Sequence, residues 1–219
     1  MDEQRQQMVH TQLVPNGIRD AAVLRAMASV PRHLFVPAAA QRYAYDNKAL
    51  PLDEAQSISQ PYIVALMAQA LELRGHERVL EVGTGSGYAA AVLSTIAAEV
   101  ITIERSPQLA AAARERLARL GYENITVVEA DGTLGWHDGS PYGGISVPAA
   151  APWVPNPLRQ QLADRARLVI PVGSRNAQML LRLTRSGDEV HAERLVGVQF
   201  VPLVGRHAWE SAEQHDIDN

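Results

Sequence analysis

The residues best suited to chemistry form one short run, EVGTGSG, holding Glu81, Gly83, Thr84, Gly85, Ser86 and Gly87. Glycine lacks a Cβ, so three of them at alternate positions let the backbone turn tightly and approach a ligand closely. The run lies between a β-rich segment, RVLEV (78–82), and a helical one (88–98) whose first amides have no partner within the helix. Glu104 ends a second β-rich run, VITIE (100–104), with Arg105 next, and an acid at a strand end can accept both hydroxyls of a ribose. Asp131 and Gly132 follow a third such run, ITVV (125–128). This pattern predicts a nucleotide-type ligand held at successive strand ends. The bland alternative is a set of tight turns with solvated carboxylates. The order strand, glycine loop, helix, strand, acid weighs against it. A dinucleotide fingerprint, G-x-G-x-x-G, would need glycine at position 88, where Tyr88 stands.

The spacing found, acidic-x-G-x-G-x-G, is the form usual in methyltransferases. Their cofactor, S-adenosylmethionine, carries a cationic sulfonium and an amino group, so an acid such as Glu81 beside the loop is useful. Asp131 is then expected to reach the adenine amine. Other chemistries are less supported. The chain has no cysteine, which removes disulfides, thiolate catalysis and thiolate-bound zinc. Its histidines, at 10, 33, 76, 137, 191, 207 and 215, form no i, i+4 pair, so no metal is expected. Ser146 is not a nucleophile elbow, because Pro148 stands where G-x-S-x-G needs glycine. Trp136, Trp153 and Trp209 can contact a peptide or complete a core.

The surrounding elements must position these groups. The chain has 219 residues, 47% hydrophobic and 20% charged, enough for one globular domain with its own core. A net charge of −4 and no basic stripe disfavour nucleic acid and anionic membranes as partners. The first residues lack a basic and apolar leader pattern, and a cytoplasmic location is the default expectation. Helices are expected at 4–14, stopped by Pro15 and Gly17, and at 21–30, with Asp20 as N-cap and Pro31 beyond. The segment 31–52 reads as an irregular surface layer. Pro61 suits the first turn of a third helix, and Pro107 opens another whose Leu109, Ala113, Leu117 and Leu120 share a face. Later strands are expected at 144–147, 167–172, 179–184 and 190–203, the last three antiparallel. The alternation predicts a Rossmann-like α/β fold: a mostly parallel sheet, helices on both faces, late antiparallel strands. One domain is expected over 1–209, with a covering layer at 1–58, a core at 59–209 and a disordered acidic tail at 210–219.

Beyond the glycine loop, the sequence resembles the protein-L-isoaspartate O-methyltransferase family over most of its length. The likeness rests on VPRHLFVP (30–37), AYDNKALPL (44–52), QSISQPYIVALM (56–67), VLEVGTGSGYAAAVL (79–93), ADG (130–132), RLVIPVG (167–173) and FVPLVG (200–205). The resemblance implies methylation of the α-carboxylate freed when an aspartyl or asparaginyl residue isomerises. The ester then closes to a succinimide, which reopens in part to normal aspartate. It also implies an active-site role for Ser59, with Ser57, Ile58, Gln60, Pro148 and Ala149 shaping the substrate pocket. Isoaspartyl peptides or proteins would be the partners, and a monomer is the default. From the residues alone, Ser59 can hold a carboxylate or cap the helix that begins near Pro61. No general base is required, because a carboxylate is already ionised at neutral pH. The chain departs from the family pattern at Ala55 (usually glycine), Ser57 (usually threonine), Gly143 (usually aspartate) and Pro148. Those at Gly143 and Pro148 favour one alternative, a relative acting on another carboxylate; a third reading is a protein that binds the cofactor without catalysis.

Overall fold

A computed structural model describes residues 1–52 and 56–210. The expected tail beyond 210, and the exchange at Ala55, lie outside the described residues. Helix α1 (Asp2–Met8) starts earlier than the sequence suggests and continues with altered winding through Val9–Leu13 and Val14–Asn16. It ends at Gly17, whose φ of 91° only glycine adopts readily. Helix α2 (Ala21–Ser29) is capped as expected, Asp20 accepting from the amides of Ala22 and Val23 at 2.8 and 3.1 Å. The layer read as irregular contains a small antiparallel ribbon, β1 (Leu50–Pro51) with β2 (Ser57–Ile58), which leads into α3 (Pro61–Ala70).

The main sheet comprises β3 (Arg78–Val82), β4 (Glu99–Glu104), β5 (Ile125–Glu129), β6 (Tyr142–Ser146), β7 (Leu162–Gly173), β8 (Gln178–Ser186) and β9 (Glu189–Val198). Its order is β5-β4-β3-β6-β7-β8-β9. The chain therefore runs outward from β3 through β4 to β5, then crosses to β6 on the other side. That reversal makes the carboxyl ends of β3 and β6 a topological switch point, where α/β sheets leave a crevice. Helices α4 (Tyr88–Ser94) and α5 (Pro107–Arg119) link the first strands, and α6 (Asn156–Gln160) precedes β7.

Alternation along the strands divides the core. Val79, Val100 and Val169 face one apolar cluster with α2, α3 and α4, whereas Leu80, Ile101, Leu168 and Ile170 face a second with Tyr142 and Leu158. Among the described residues no helix is long and apolar enough to cross a membrane.

Three expectations change. Helix α4 stops at Ser94, not at 98, because the Asn124 amide takes up the carbonyls of Ser94 and Ala98 at 2.9 and 3.3 Å. Strand β7 is longer than expected and joins β6 in parallel, so in the main sheet, among the described residues, only the β7–β8 and β8–β9 pairs are antiparallel. The stretch after Val198 leaves the sheet. Ala150 donates to the Val201 carbonyl at 2.8 Å and Leu203 to the Ala150 carbonyl at 2.7 Å, so this segment lies beside the exit from β6.

Candidate active site

At the switch point a cleft of about 1070 Å³, its open mouth included, runs along the glycine loop. Gly83, Gly85 and Gly87 have φ of 107°, 51° and 82°, so the loop uses left-handed backbone at each glycine the sequence singled out. Gly83, Thr84, Gly85 and Ser86 line the cleft, and Gly87 caps α4. Glu104 lines it too. Its oxygens accept from the amides of Gly85 and Ser106, both at 3.0 Å, which fixes the carboxylate and leaves each oxygen a second lone pair. Arg105 is exposed at the mouth, and Gly132 lines the far wall. Gly132 is demanded by packing, since a Cβ there would run into the Val82 side chain.

Two acids sit differently from expectation. Glu81 does not line the cleft. It is fully buried, and Thr102 Oγ1 donates to its Oε2 at 2.6 Å while Oε1 has no partner among the described residues. Thr84 Oγ1 lies 2.7 Å from Thr102 Oγ1. Thr102 has one proton, already used on Glu81, so the Thr84 hydroxyl is the donor in that contact. Burial, reinforced by the nearby Glu104 charge and opposed by the Thr102 bond, pushes the Glu81 carboxyl up to about 8. Glu81 therefore braces the loop through two threonines instead of facing the ligand with a charge.

Asp131 also lies off the cleft wall. Its Oδ1 accepts from the Thr133 amide and hydroxyl at 2.9 and 2.7 Å, and its Oδ2 from the Arg206 amide at 2.8 Å. Burial opposes ionisation, but those donors outweigh it and hold the carboxyl below the usual aspartate value. Asp131 thus ties the end of β5 to the C-terminal segment, whose Val201, Pro202, Leu203 and Val204 close the cleft.

A second cleft opens beside the first and is lined by Gln60, Tyr62, Asn176, Gln178 and Phe200 among others. Ser57, Ser59, Pro148 and Val201 line both clefts, while Ile58 and Ala149 line the first. Helix α3 has Gln60 at its N-cap and no side-chain cap, which removes the capping reading of Ser59. Pro148 stands just beyond β6, where its missing amide costs the ladder nothing; Val147 has already donated to the Val169 carbonyl at 2.9 Å. Gly143 lies at the opposite, amino end of β6, away from both clefts. A Cβ at Gly143 would meet Glu77 Cγ and Cβ at 2.7 and 2.8 Å, so glycine answers a packing need. The C-terminal wall and the β7–β8 turn were not singled out as site elements. The run FVPLVG was the one signal for the former, and nothing local marked the latter.

A five-strand parallel block with two antiparallel additions, a glycine loop after β3 and an acid ending β4 define a Rossmann-like methyltransferase fold. Comparison with known proteins narrows the class. The model of the protein-L-isoaspartate(D-aspartate) O-methyltransferase family matches residues 3–208, and the chain belongs to that family. It is 59% identical over 197 residues to the protein-L-isoaspartate O-methyltransferase of Roseiflexus castenholzii, covering 90% of each chain. It is 52% identical over 209 residues to that of Methanoregula boonei, covering 95% of this chain and 96% of the relative. A solved structure of a protein-L-isoaspartate O-methyltransferase matches with a TM-score of 0.85 at 26% identity, over 95% of this chain and 67% of the other. A Plasmodium falciparum structure of that description, in complex with S-adenosyl-L-homocysteine, shares the fold with a TM-score of 0.77 at 23% identity, over 91% and 98%.

Proposed function

We propose that this chain transfers a methyl group from S-adenosylmethionine to the free α-carboxylate of L-isoaspartyl residues in damaged proteins or peptides. The observation that carries this reading is the meeting of two clefts at Ser57, Ser59, Pro148 and Val201. A donor in the first and a carboxylate in the second would touch only there. The first cleft fits the cofactor: its loop backbone is open to close approach and Glu104 can accept ribose hydroxyls. When bound, S-adenosylmethionine supplies an electrophilic methyl group on a positively charged sulfur.

The protein's part is positioning. Glu104, held by two amides, fixes the ribose end. Val82, Ile103, Met67 and Leu93 give the first cleft apolar walls that exclude water. Ser59, whose hydroxyl has no protein partner among the described residues, would donate to one carboxylate oxygen and leave the other free to react. No proton is moved, since the carboxylate is ionised at neutral pH. Because Gly143 lies far from the clefts, Pro148 alone now supports a different carboxylate substrate.

The test is labelled methyl transfer to matched peptides containing isoaspartate or normal aspartate. Transfer to the isoaspartyl peptide alone is expected. Absence of transfer, with S-adenosylhomocysteine binding confirmed by calorimetry, would overturn the reading.

A further inference from the structure

The second cleft is chemically unusual in one respect: among the described residues, none that lines it is charged. Its polar side chains include three carboxamides besides Gln178, namely Gln60, Asn176 and Gln199. A carboxamide offers both a donor and an acceptor, which complements a peptide main chain and discriminates little between flanking side chains.

Asn176 stands out among them by its mounting. It lies in the turn between β7 and β8, and the turn is braced at almost every other residue. Gly173 closes against Ala177, where a Cβ would collide with the Ala177 carbonyl. The Ala177 amide donates to Ser174 Oγ at 3.2 Å. Arg175 lies over the Trp209 ring, 4.8 Å from its centroid. Gln178 is 5% exposed, and its Nε2 donates to the carbonyls of Ser174 and Arg175 at 2.8 and 3.0 Å. Its Oε1 accepts from the Phe200 amide at 2.8 Å, which ties the turn to the opposite lining segment. Every polar group of the Gln178 side chain is therefore used to fix the geometry of this wall. Asn176 is exposed, and its side chain has no partner among the described residues.

We propose that the Asn176 carboxamide is a substrate-binding residue that hydrogen-bonds the peptide main chain beside the isoaspartyl residue, and that Gln178 is the positioning residue holding it there. The inference rests on the reading of the second cleft as the peptide site. Such a contact would let one site take peptides of many sequences, because it is made to groups that every residue carries. Two glutamine amides on other elements, Gln60 and Gln199, add further donors and acceptors to the described lining.

The experiment measures kcat and KM of wild-type, Asn176→Ala and Gln178→Met enzymes. The substrates are an isoaspartyl peptide and versions with single flanking main-chain amides N-methylated. S-adenosylhomocysteine affinity and melting temperature are followed alongside. In Asn176→Ala, KM is expected to rise about three- to tenfold, the loss of a hydrogen bond of ordinary worth, with kcat and cofactor affinity unchanged. N-methylation at one flanking position should raise the wild-type KM and leave that of Asn176→Ala unaltered. Gln178→Met should also raise KM and spare kcat. Unchanged KM in a folded Asn176→Ala enzyme overturns the contact, and unchanged KM in folded Gln178→Met overturns the positioning role. Failure of the wild-type enzyme to methylate the parent peptide would instead overturn the assignment of substrate.

Discussion

Glu81 is a carboxyl group in a place where charge is costly. It is sealed in the sheet, satisfied on one oxygen by Thr102 and on the other by nothing among the described residues. Its folded pKa of about 8 stands above the ordinary value of 4.5, so the folded state holds a proton that the unfolded chain has released. The sign follows by linkage. Its contribution is most favourable below pH 4.5, declines between 4.5 and about 8, and levels off above. Glu81→Gln keeps the acceptor for Thr102 and removes the titration. The variant should gain in melting temperature relative to wild type as pH rises from about 5 to 8. One pKa unit corresponds to about 1.4 kcal/mol, so even part of this displacement is measurable. Parallel melting-temperature curves for the two proteins across that range would rule out a buried neutral Glu81. The sequence reading expected Glu81 as a counter-charge beside the cofactor, and burial makes it a brace for Thr84 instead.

At the scale of elements, β6 separates a packing requirement from a functional one. Its amino end carries Gly143 against Glu77, whose carboxylate accepts from the amides of Arg74, Gly75 and His76 at 2.9, 2.9 and 3.1 Å. Its carboxyl end leads to Pro148 at the junction of the clefts. Gly143→Asp would force Glu77 aside and set a second carboxylate near it. Overpacking of this kind costs about 1–3 kcal/mol. A melting temperature lower by several degrees is expected, with kcat/KM on the isoaspartyl peptide unchanged. A change in peptide specificity at unchanged stability would return Gly143 to the substrate site. Strands such as β3, β4 and β5, and helices opened by Pro61 and Pro107, were legible because their signals are local: apolar runs, prolines at first turns, glycines after strands. The β1–β2 ribbon was not, since two residues per strand carry no period. The end of β9 at Val198 was not either, because it depends on Gln178 and Ala150, both distant in sequence.

At the scale of the whole molecule, the first cleft is finished by the last described part of the chain. Segment 201–204 forms one wall, and Asp131 holds the following residues through the Arg206 amide, with the His207 amide bonded to Thr133 Oγ1 at 3.1 Å. Gly205 is required there, because a Cβ would overlap the Asp131 carboxylate. The cofactor cleft therefore depends on a tie between residues some seventy positions apart, 75 in the case of Asp131 and Arg206. Asp131→Asn places an amide N–H₂ against a main-chain N–H, leaving donors facing each other. Because the Arg206 contact is solvent-exposed, the mismatch costs less than the about 1–3 kcal/mol of a buried one. S-adenosylhomocysteine affinity at neutral pH should fall several-fold by calorimetry, as the 201–204 wall loosens. The Asp131 carboxyl is held below its ordinary value of 3.8, so its stabilising effect is full above that pH and lost as pH falls through the folded value. The melting temperatures of wild type and variant should accordingly converge in acid below about pH 4. Undiminished cofactor affinity in Asp131→Asn would mean that the wall stands without this tie. A constant gap in melting temperature down to acid would mean that the Asp131 charge contributes nothing to it.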